Sequence, residues 1–181
     1  KTVDAMSKEL AALKQLQTLD LDFSGCKALA EVASLSTLGS LKDLRECKMK
    51  FSDSGIKDVS GLVDGLRGME RLETLVLDFS GCKSLVATAA FSALGDLKAL
   101  KQCTIIFGHG RTEDPKTTAF SHTRIKDVRP VGAGLSGMEQ LQTLKLDFYW
   151  CFFLSDLEGF DALKGLKMLR HCAMDFSSSG I

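Results

Sequence analysis

Leucine recurs along this chain at a fixed interval and opens six segments of similar pattern. The openers are Leu16, Leu44, Leu72, Leu100, Leu141 and Leu169. Successive openers keep a 28-residue interval, except for the step from Leu100 to Leu141, which contains 13 extra residues. A fixed period of about 20–50 residues is typical of proteins built from stacked repeats. The chain is therefore predicted to be an array of about six repeats with one insertion.

Within each repeat the hydrophobic period changes. Leu75, Leu77 and Phe79 alternate with other residues, which predicts a strand with one buried face. A following half-repeat has apolar residues three or four apart, which suits one face of a helix. In the second repeat these residues are Val59, Leu62, Val63, Leu66 and Met69. Each repeat is therefore predicted to form a short strand, a turn and a helix.

Two kinds of repeat alternate along the chain. The first kind reads LETLVLDFSGCKSL from Leu72 to Leu85, with similar segments at Leu16 and Leu141. The second kind reads LRECKMKFSDSGIKDV from Leu44 to Val59, with similar segments at Leu100 and Leu169.

The pattern L-x-x-L-x-L, followed by a turn and an apolar helical half, resembles the leucine-rich repeat family over essentially the whole chain. The 28-residue interval is similar to that of the ribonuclease-inhibitor-like class, and the longer strand pattern resembles repeats of protists. One feature departs from the family. A phenylalanine is predicted to extend each strand, which displaces the usual turn Asn or Cys by two residues, onto Cys26, Cys82 and Cys151. The resemblance implies an α/β leucine-rich repeat solenoid, with a parallel concave sheet and helices on the convex side.

The repeats run the whole length of the chain, so residues 1–181 are predicted to form a single array. The 13 extra residues lie between Phe107 and Ile125, and their composition predicts a loop at about 108–124. Lys1 and Ile181 both fall inside a repeat, and neither end shows the atypical sequence of a capping repeat. We therefore expect an interior segment of a longer array.

Charge and hydropathy exclude two classes of function. The chain has 23 basic and 23 acidic residues, so its formal net charge is zero. That balance argues against a nucleic-acid partner bound by phosphate neutralisation. No run of about 18 apolar residues occurs, so no membrane insertion is expected.

The six cysteines occupy two recurring positions. Three share one turn position and three share one inward strand position: Cys26, Cys82 and Cys151, and Cys47, Cys103 and Cys172. A residue that recurs at one structural position fills a packing slot, so we expect buried free thiols rather than disulfides or a metal site. Reduced thiols favour an intracellular, cytoplasmic location.

One candidate docking surface is a column of outward strand residues on the concave face. The column reads Asp22, Lys50, Asp78, Ile106, Asp147 and Asp175. Like positions of adjacent strands stack about 4.8 Å apart. The alternative is a set of solvated cross-strand pairs, each worth about 0.2–1 kcal/mol. The concave face is the usual docking surface of leucine-rich repeats, so the resemblance implies a binding role.

The second candidate is an aromatic turn in the fifth repeat. Tyr149, Trp150, Phe152 and Phe153 replace Ser80, Gly81, Lys83 and Ser84 of the third repeat. Tyrosine and tryptophan dominate the binding energy of many protein interfaces, which favours a partner site. The predicted loop lies at the same edge of the array, so it could instead cover these rings and close the core.

No motif of an enzyme is present. G-x-S-x-G, H-E-x-x-H and Walker-type loops are missing, and His109 and His122 have no recognised metal spacing. We therefore expect a non-enzymatic scaffold without cofactor or metal, whose partner is another protein or a large protein complex. Two alternatives stay open: a structural subunit of a ciliary or organellar assembly, and a substrate-selecting array of an enzyme whose catalytic domain lies outside this segment.

Overall fold

A computed structural model describes residues 2–108 and 123–181, with the side chain of Thr2 excepted. Within these ranges six five-residue strands form one parallel sheet in the order β1 to β6. The strands are β1 (Thr18–Asp22), β2 (Glu46–Lys50), β3 (Thr74–Asp78), β4 (Gln102–Ile106), β5 (Thr143–Asp147) and β6 (His171–Asp175). The fold is an α/β leucine-rich repeat solenoid, as predicted.

The convex elements are of two types. The α-helices are α1 (Thr2–Ala11), α2 (Ser60–Arg67) and α3 (Arg129–Leu135). The 3₁₀-helices are η1 (Ala33–Ser40), η2 (Ala89–Asp96) and η3 (Phe160–Gly165). Strands of the first kind of repeat lead into 3₁₀-helices, whereas β2 and β4 lead into α-helices.

A helix follows each of the first five strands, as predicted, but it is a 3₁₀-helix rather than an α-helix in repeats of the first kind. The spacing of its buried residues explains the difference. Leu35, Leu38 and Leu41 recur at every third position and are buried. Side chains at i and i+3 align on a 3₁₀-helix, which has three residues per turn. Leu62, Val63 and Leu66 of α2 are spaced one and three apart, as one face of an α-helix requires.

The strand register follows the 28-residue interval, except between β4 and β5, where Gln102 pairs with Thr143 across the insertion. Leu19 pairs with Cys47 and Cys47 pairs with Leu75, and all three side chains are buried. The core therefore runs as one continuous layer between the sheet and the convex elements. The outward residues of the same strands line the concave face.

A stack of phenylalanine rings continues this core beneath the turns. Rings of adjacent repeats are parallel, with centroid distances of 5.3–5.8 Å. The stack comprises Phe23, Phe51, Phe79, Phe107, Phe148 and Phe176. Each strand ends at the residue before its phenylalanine, which corrects the predicted extension. The backbone pairing nevertheless continues one step further, because Phe23 N–H donates to the Lys50 carbonyl oxygen at 2.7 Å.

Ion pairs link equivalent positions of successive repeats at the edge where the strands begin. Arg45 lies 2.7 Å from one carboxylate oxygen of Glu73, and Lys101 lies 2.8 Å from the other. The hydrogen bond from Lys101 is the main reason that the pKa of Glu73 lies below its usual value. These side chains are partly or well exposed, so each pair stabilises the array only slightly.

Four of the six cysteines are buried, and all six are free thiols. Cys26 and Cys172 are exposed, so the prediction of six buried thiols was wrong for these two. Their repeats hold the first and last strands of the sheet. Within the described residues, no further strand packs on the outer side of either repeat.

The predicted insertion at 108–124 begins and ends in register with the array. Gly108 N–H donates to the Asp147 carbonyl oxygen at 3.0 Å, and the Thr123 hydroxyl donates to the Phe107 carbonyl oxygen at 2.9 Å. Thr123 takes the position of Ser54, and both hydroxyls lie beside a cysteine of the next repeat. Residues 109–122, which include both loop histidines, lie outside the described residues.

Candidate functional site

The predicted concave column exists as a geometric feature. The register pairs its six members in order across the five strand junctions: Asp22, Lys50, Asp78, Ile106, Asp147 and Asp175. Lys50 Nζ lies 3.8 Å from a carboxylate oxygen of Asp22, and both side chains are about half exposed. The first junction therefore carries a weak, solvated ion pair.

The four aspartates of the column also have a structural role. Each accepts a hydrogen bond from the backbone N–H two residues later, which stabilises the turn that ends the strand. The donors are Ser24, Ser80, Tyr149 and Ser177, at 2.8–2.9 Å. Hydrogen bonds from Ser24 are the main reason that the pKa of Asp22 is lowered, and Lys50 contributes less. Turn formation thus explains why aspartate recurs here.

Ile106 interrupts this polar column at its centre. It is partly exposed and pairs with Asp78 on one side and Asp147 on the other. Val76 and Thr104 lie nearby on the same face and are also partly exposed. The middle of the concave face is therefore a small apolar area that aspartates flank.

The aromatic edge, defined as Tyr149, Trp150, Phe152 and Phe153, lies in the turn after β5. The rings of Tyr149 and Trp150 stack with centroids 5.4 Å apart, and those of Trp150 and Phe152 lie 6.2 Å apart. Phe152 is 48% exposed and Phe153 is 43% exposed. All four aromatic residues therefore gather in one turn, and two of them present much of their surface to solvent.

Trp150 has a backbone conformation that tryptophan rarely adopts. Its φ is +62°, in the left-handed region. The equivalent residues of the first and third repeats are Gly25 and Gly81, with φ of +73° and +67°. A residue with a Cβ atom in this region costs about 1–2 kcal/mol. Asp53 and Ser178, at the same position of the second kind of repeat, also adopt this conformation, with φ of +55° and +56°. Among repeats of the first kind, the fifth therefore carries a tryptophan where the other two have glycine.

Sequence reasoning missed one member of this edge. The guanidinium Cζ of Arg124 lies 5.5 Å from the centroid of the Phe153 ring, which is a cation–π contact. The signal was present in the repeat alignment, because Arg124 replaces Gly55 and Gly180 of the equivalent repeats. We include Arg124 in the candidate site.

A groove of about 810 Å³ lies elsewhere, between α1 and the turn after β1. Its lining includes Val3, Met6, Phe23, Cys26 and Leu29. None of the predicted site residues lines it. Across 2–108 and 123–181, no three side chains of His, Cys, Asp or Glu are placed to share a metal ion. In the same ranges, no helix is both long and apolar enough to cross a membrane.

No family model matches the sequence, and no curated protein matches it. Among solved structures, the chain is similar to internalin C2 from Listeria monocytogenes, with 17% sequence identity and a TM-score of 0.40. The match covers 95% of this chain and 72% of that one. The order of the six parallel strands and their in-register pairing establish the fold.

Proposed function

We propose that this chain is a non-enzymatic protein-interaction module whose main docking surface is the aromatic edge. The observation that carries the proposal is the exposure of Phe152 and Phe153 beside the stacked ring of Trp150. Large aromatic side chains at a surface mark interaction sites more often than isolated leucines do.

The backbone at Trp150 supports the same conclusion. A glycine there would remove the left-handed strain, as it does at Gly25 and Gly81. The repeat fold itself does not need the tryptophan, because the third repeat forms the same turn without it. Strained residues that break a local rule tend to gather at functional sites.

The concave column forms the second part of the proposed surface. Ile106 offers an apolar contact between Asp78 and Asp147, and Asp147 also accepts a hydrogen bond from Tyr149 N–H. The column and the aromatic edge therefore meet at the end of β5. A partner that contacts the rings would also reach the centre of the concave face.

Affinity capture with variants that remove the aromatic rings tests this proposal. Trp150→Gly/Phe152→Ser replaces the rings of Trp150 and Phe152 with glycine and serine, which are common in turns, so the variant should fold. Ser84→Ala, in the equivalent turn of the third repeat, is the matched control. Proteins captured from an extract of the source cells by the native chain and the control, but not by the ring variant, would support the aromatic edge.

A separate variant tests the concave column. Ile106→Lys copies the residue at Lys50 in the same column, so the sheet should tolerate it. Loss of capture with this variant alone would move the docking surface to the concave face. If every variant captures the same proteins as the native chain, the proposal fails.

A further inference from the structure

The segment from the end of β5 to the start of η3, which contains the aromatic edge, is more acidic than the equivalent segments of the first and third repeats. Residues 147–161 contain four carboxylates and no Lys, Arg or His, which gives −4. The equivalent residues 78–92 contain Asp78 and Lys83, which gives −1 + 1 = 0. Residues 22–36 contain two acids and one lysine, which gives −2 + 1 = −1. The fifth repeat therefore gains acidic residues a few positions after its aromatic rings.

Two of these carboxylates are open to solvent and weakly engaged. Asp156 and Glu158 are exposed and follow the aromatic edge directly in sequence. Within the described part of the chain, Asp156 accepts a local hydrogen bond, from Glu158 N–H at 3.0 Å. Glu158 lies 3.9 Å from a guanidinium nitrogen of Arg129, which is a long contact between two exposed groups. Both carboxylates therefore stay accessible to a cation from outside.

The lysine of the other repeats is also lost here. Lys27 and Lys83 stand where this repeat has Phe152. Lys27 donates to the Asp53 carbonyl oxygen at 2.6 Å, across to the neighbouring repeat. The replacement removes a positive charge and adds a ring face, and both changes favour a cationic ligand.

Arg124 and Phe153 show how a cation sits on this surface. The guanidinium lies over the ring, at 5.5 Å from its centroid. An aromatic face carries a negative quadrupole, which attracts guanidinium and ammonium groups and repels anions. The neighbouring carboxylates strengthen that preference.

We propose that the aromatic edge docks an extended segment of a partner protein that carries arginine or lysine side chains among apolar ones. The basic side chains stack on Phe152 and pair with Asp156 and Glu158, while the apolar ones pack beside the rings. Nucleic acid and phosphorylated segments are disfavoured, because their phosphates would face these carboxylates. This inference rests on the proposed function of the same edge.

A selection from a phage-displayed library of random peptides, carried out on the native chain, tests the preference. Trp150 is the single tryptophan of the chain and lies in the aromatic edge, so its fluorescence reports binding of each selected peptide. We expect peptides enriched in arginine or lysine. Their affinity should fall about tenfold or more in Phe152→Ser/Phe153→Ser, where both ring faces are gone.

A charge variant tests the role of the two carboxylates separately from the role of the rings. Asp156→Asn/Glu158→Gln should weaken the basic peptides and reduce the dependence of their affinity on salt, whereas Asp64→Asn on α2 should not. Two outcomes would overturn this inference and leave the proposed function standing. In one, the selected peptides need the rings but carry no basic residues. In the other, they need the rings but their affinity is the same for the charge variant. Selected peptides that bind equally well without the rings would overturn both.

Discussion

Gly65 of α2 lies so close to Leu35 of η1 that a Cβ atom at Gly65 would press on the Leu35 carbonyl oxygen. Gly134 of α3 has the same relationship to Phe91 of η2. Each of these α-helices therefore packs directly on the backbone of the 3₁₀-helix in the preceding repeat. Glycine permits this approach, which lets the convex elements of neighbouring repeats stack as closely as the strands of the sheet require.

Gly65→Ala should destabilise the protein by about 1–3 kcal/mol, because the added methyl group meets backbone atoms that cannot move aside. Gly165→Ala is the matched control, since a Cβ atom there meets nothing within 4 Å. The control should be neutral or slightly stabilising. Urea denaturation of both variants measures the difference, and equal stabilities would contradict the close approach.

Leu77→Ala should lower the free energy of unfolding by about 2–5 kcal/mol, because Leu77 is fully buried on the inward face of β3. Val76→Ala, one residue earlier on the partly exposed concave face, should cost clearly less. A comparison of denaturation midpoints checks both. A larger effect at Val76 than at Leu77 would mean that the assigned faces are reversed.

Alkylation should distinguish two classes of thiol in the folded protein. Cys26 and Cys172 are exposed and should react quickly with iodoacetamide, whereas the other four are buried. Burial also raises the pKa of Cys47 and Cys103 to about 12 and that of Cys151 to about 11, so little reactive thiolate forms. Mass spectrometry should show two modifications in the native state and six in denaturant.

The buried thiols should make stability fall at high pH. Their folded pKa values of about 11 and 12 lie above the unfolded value of about 8.5, so the unfolded chain loses its protons first. Their contribution is complete below pH of about 8.5 and is lost as pH rises from there toward the folded values. Cys47→Ala/Cys103→Ala should flatten this decline, although it lowers stability at neutral pH. The expectation would be contradicted if urea denaturation at several pH values gave the variant the same decline of unfolding free energy with pH as the native chain.

Deletion of residues 109–121 should leave the fold intact. The deletion shortens the step from Leu100 to Leu141 to the 28-residue interval of the other steps, and Gly108 and Thr123 already lie in register with the array. Shortening a surface loop changes closure entropy only slightly. Circular dichroism during urea unfolding should show one cooperative transition. A broadened transition would show that the inserted residues contribute to the core.

The sequence predicts the strands and the sheet well because their signal is local and repeated. Leu75 and Leu77 alternate with outward residues, and the 28-residue interval then fixes which residue pairs with which. The aromatic edge is also visible in the repeat alignment, because Trp150 stands where Gly25 and Gly81 occur. The contact of Arg124 with Phe153 was missed, because the two side chains belong to different repeats and meet only when the repeats stack.

Hydrophobic period and repeat interval by themselves determined the solenoid, its parallel register and the inward face of every strand. Tertiary structure decided how closely the convex elements of neighbouring repeats approach, which thiols reach solvent, and how much of Phe152 and Phe153 stays exposed. The physical reason is that alternation and spacing specify which face of a segment is apolar. The exposure of a side chain and the approach of one helix to another depend on which residues of the neighbouring repeat pack against that face.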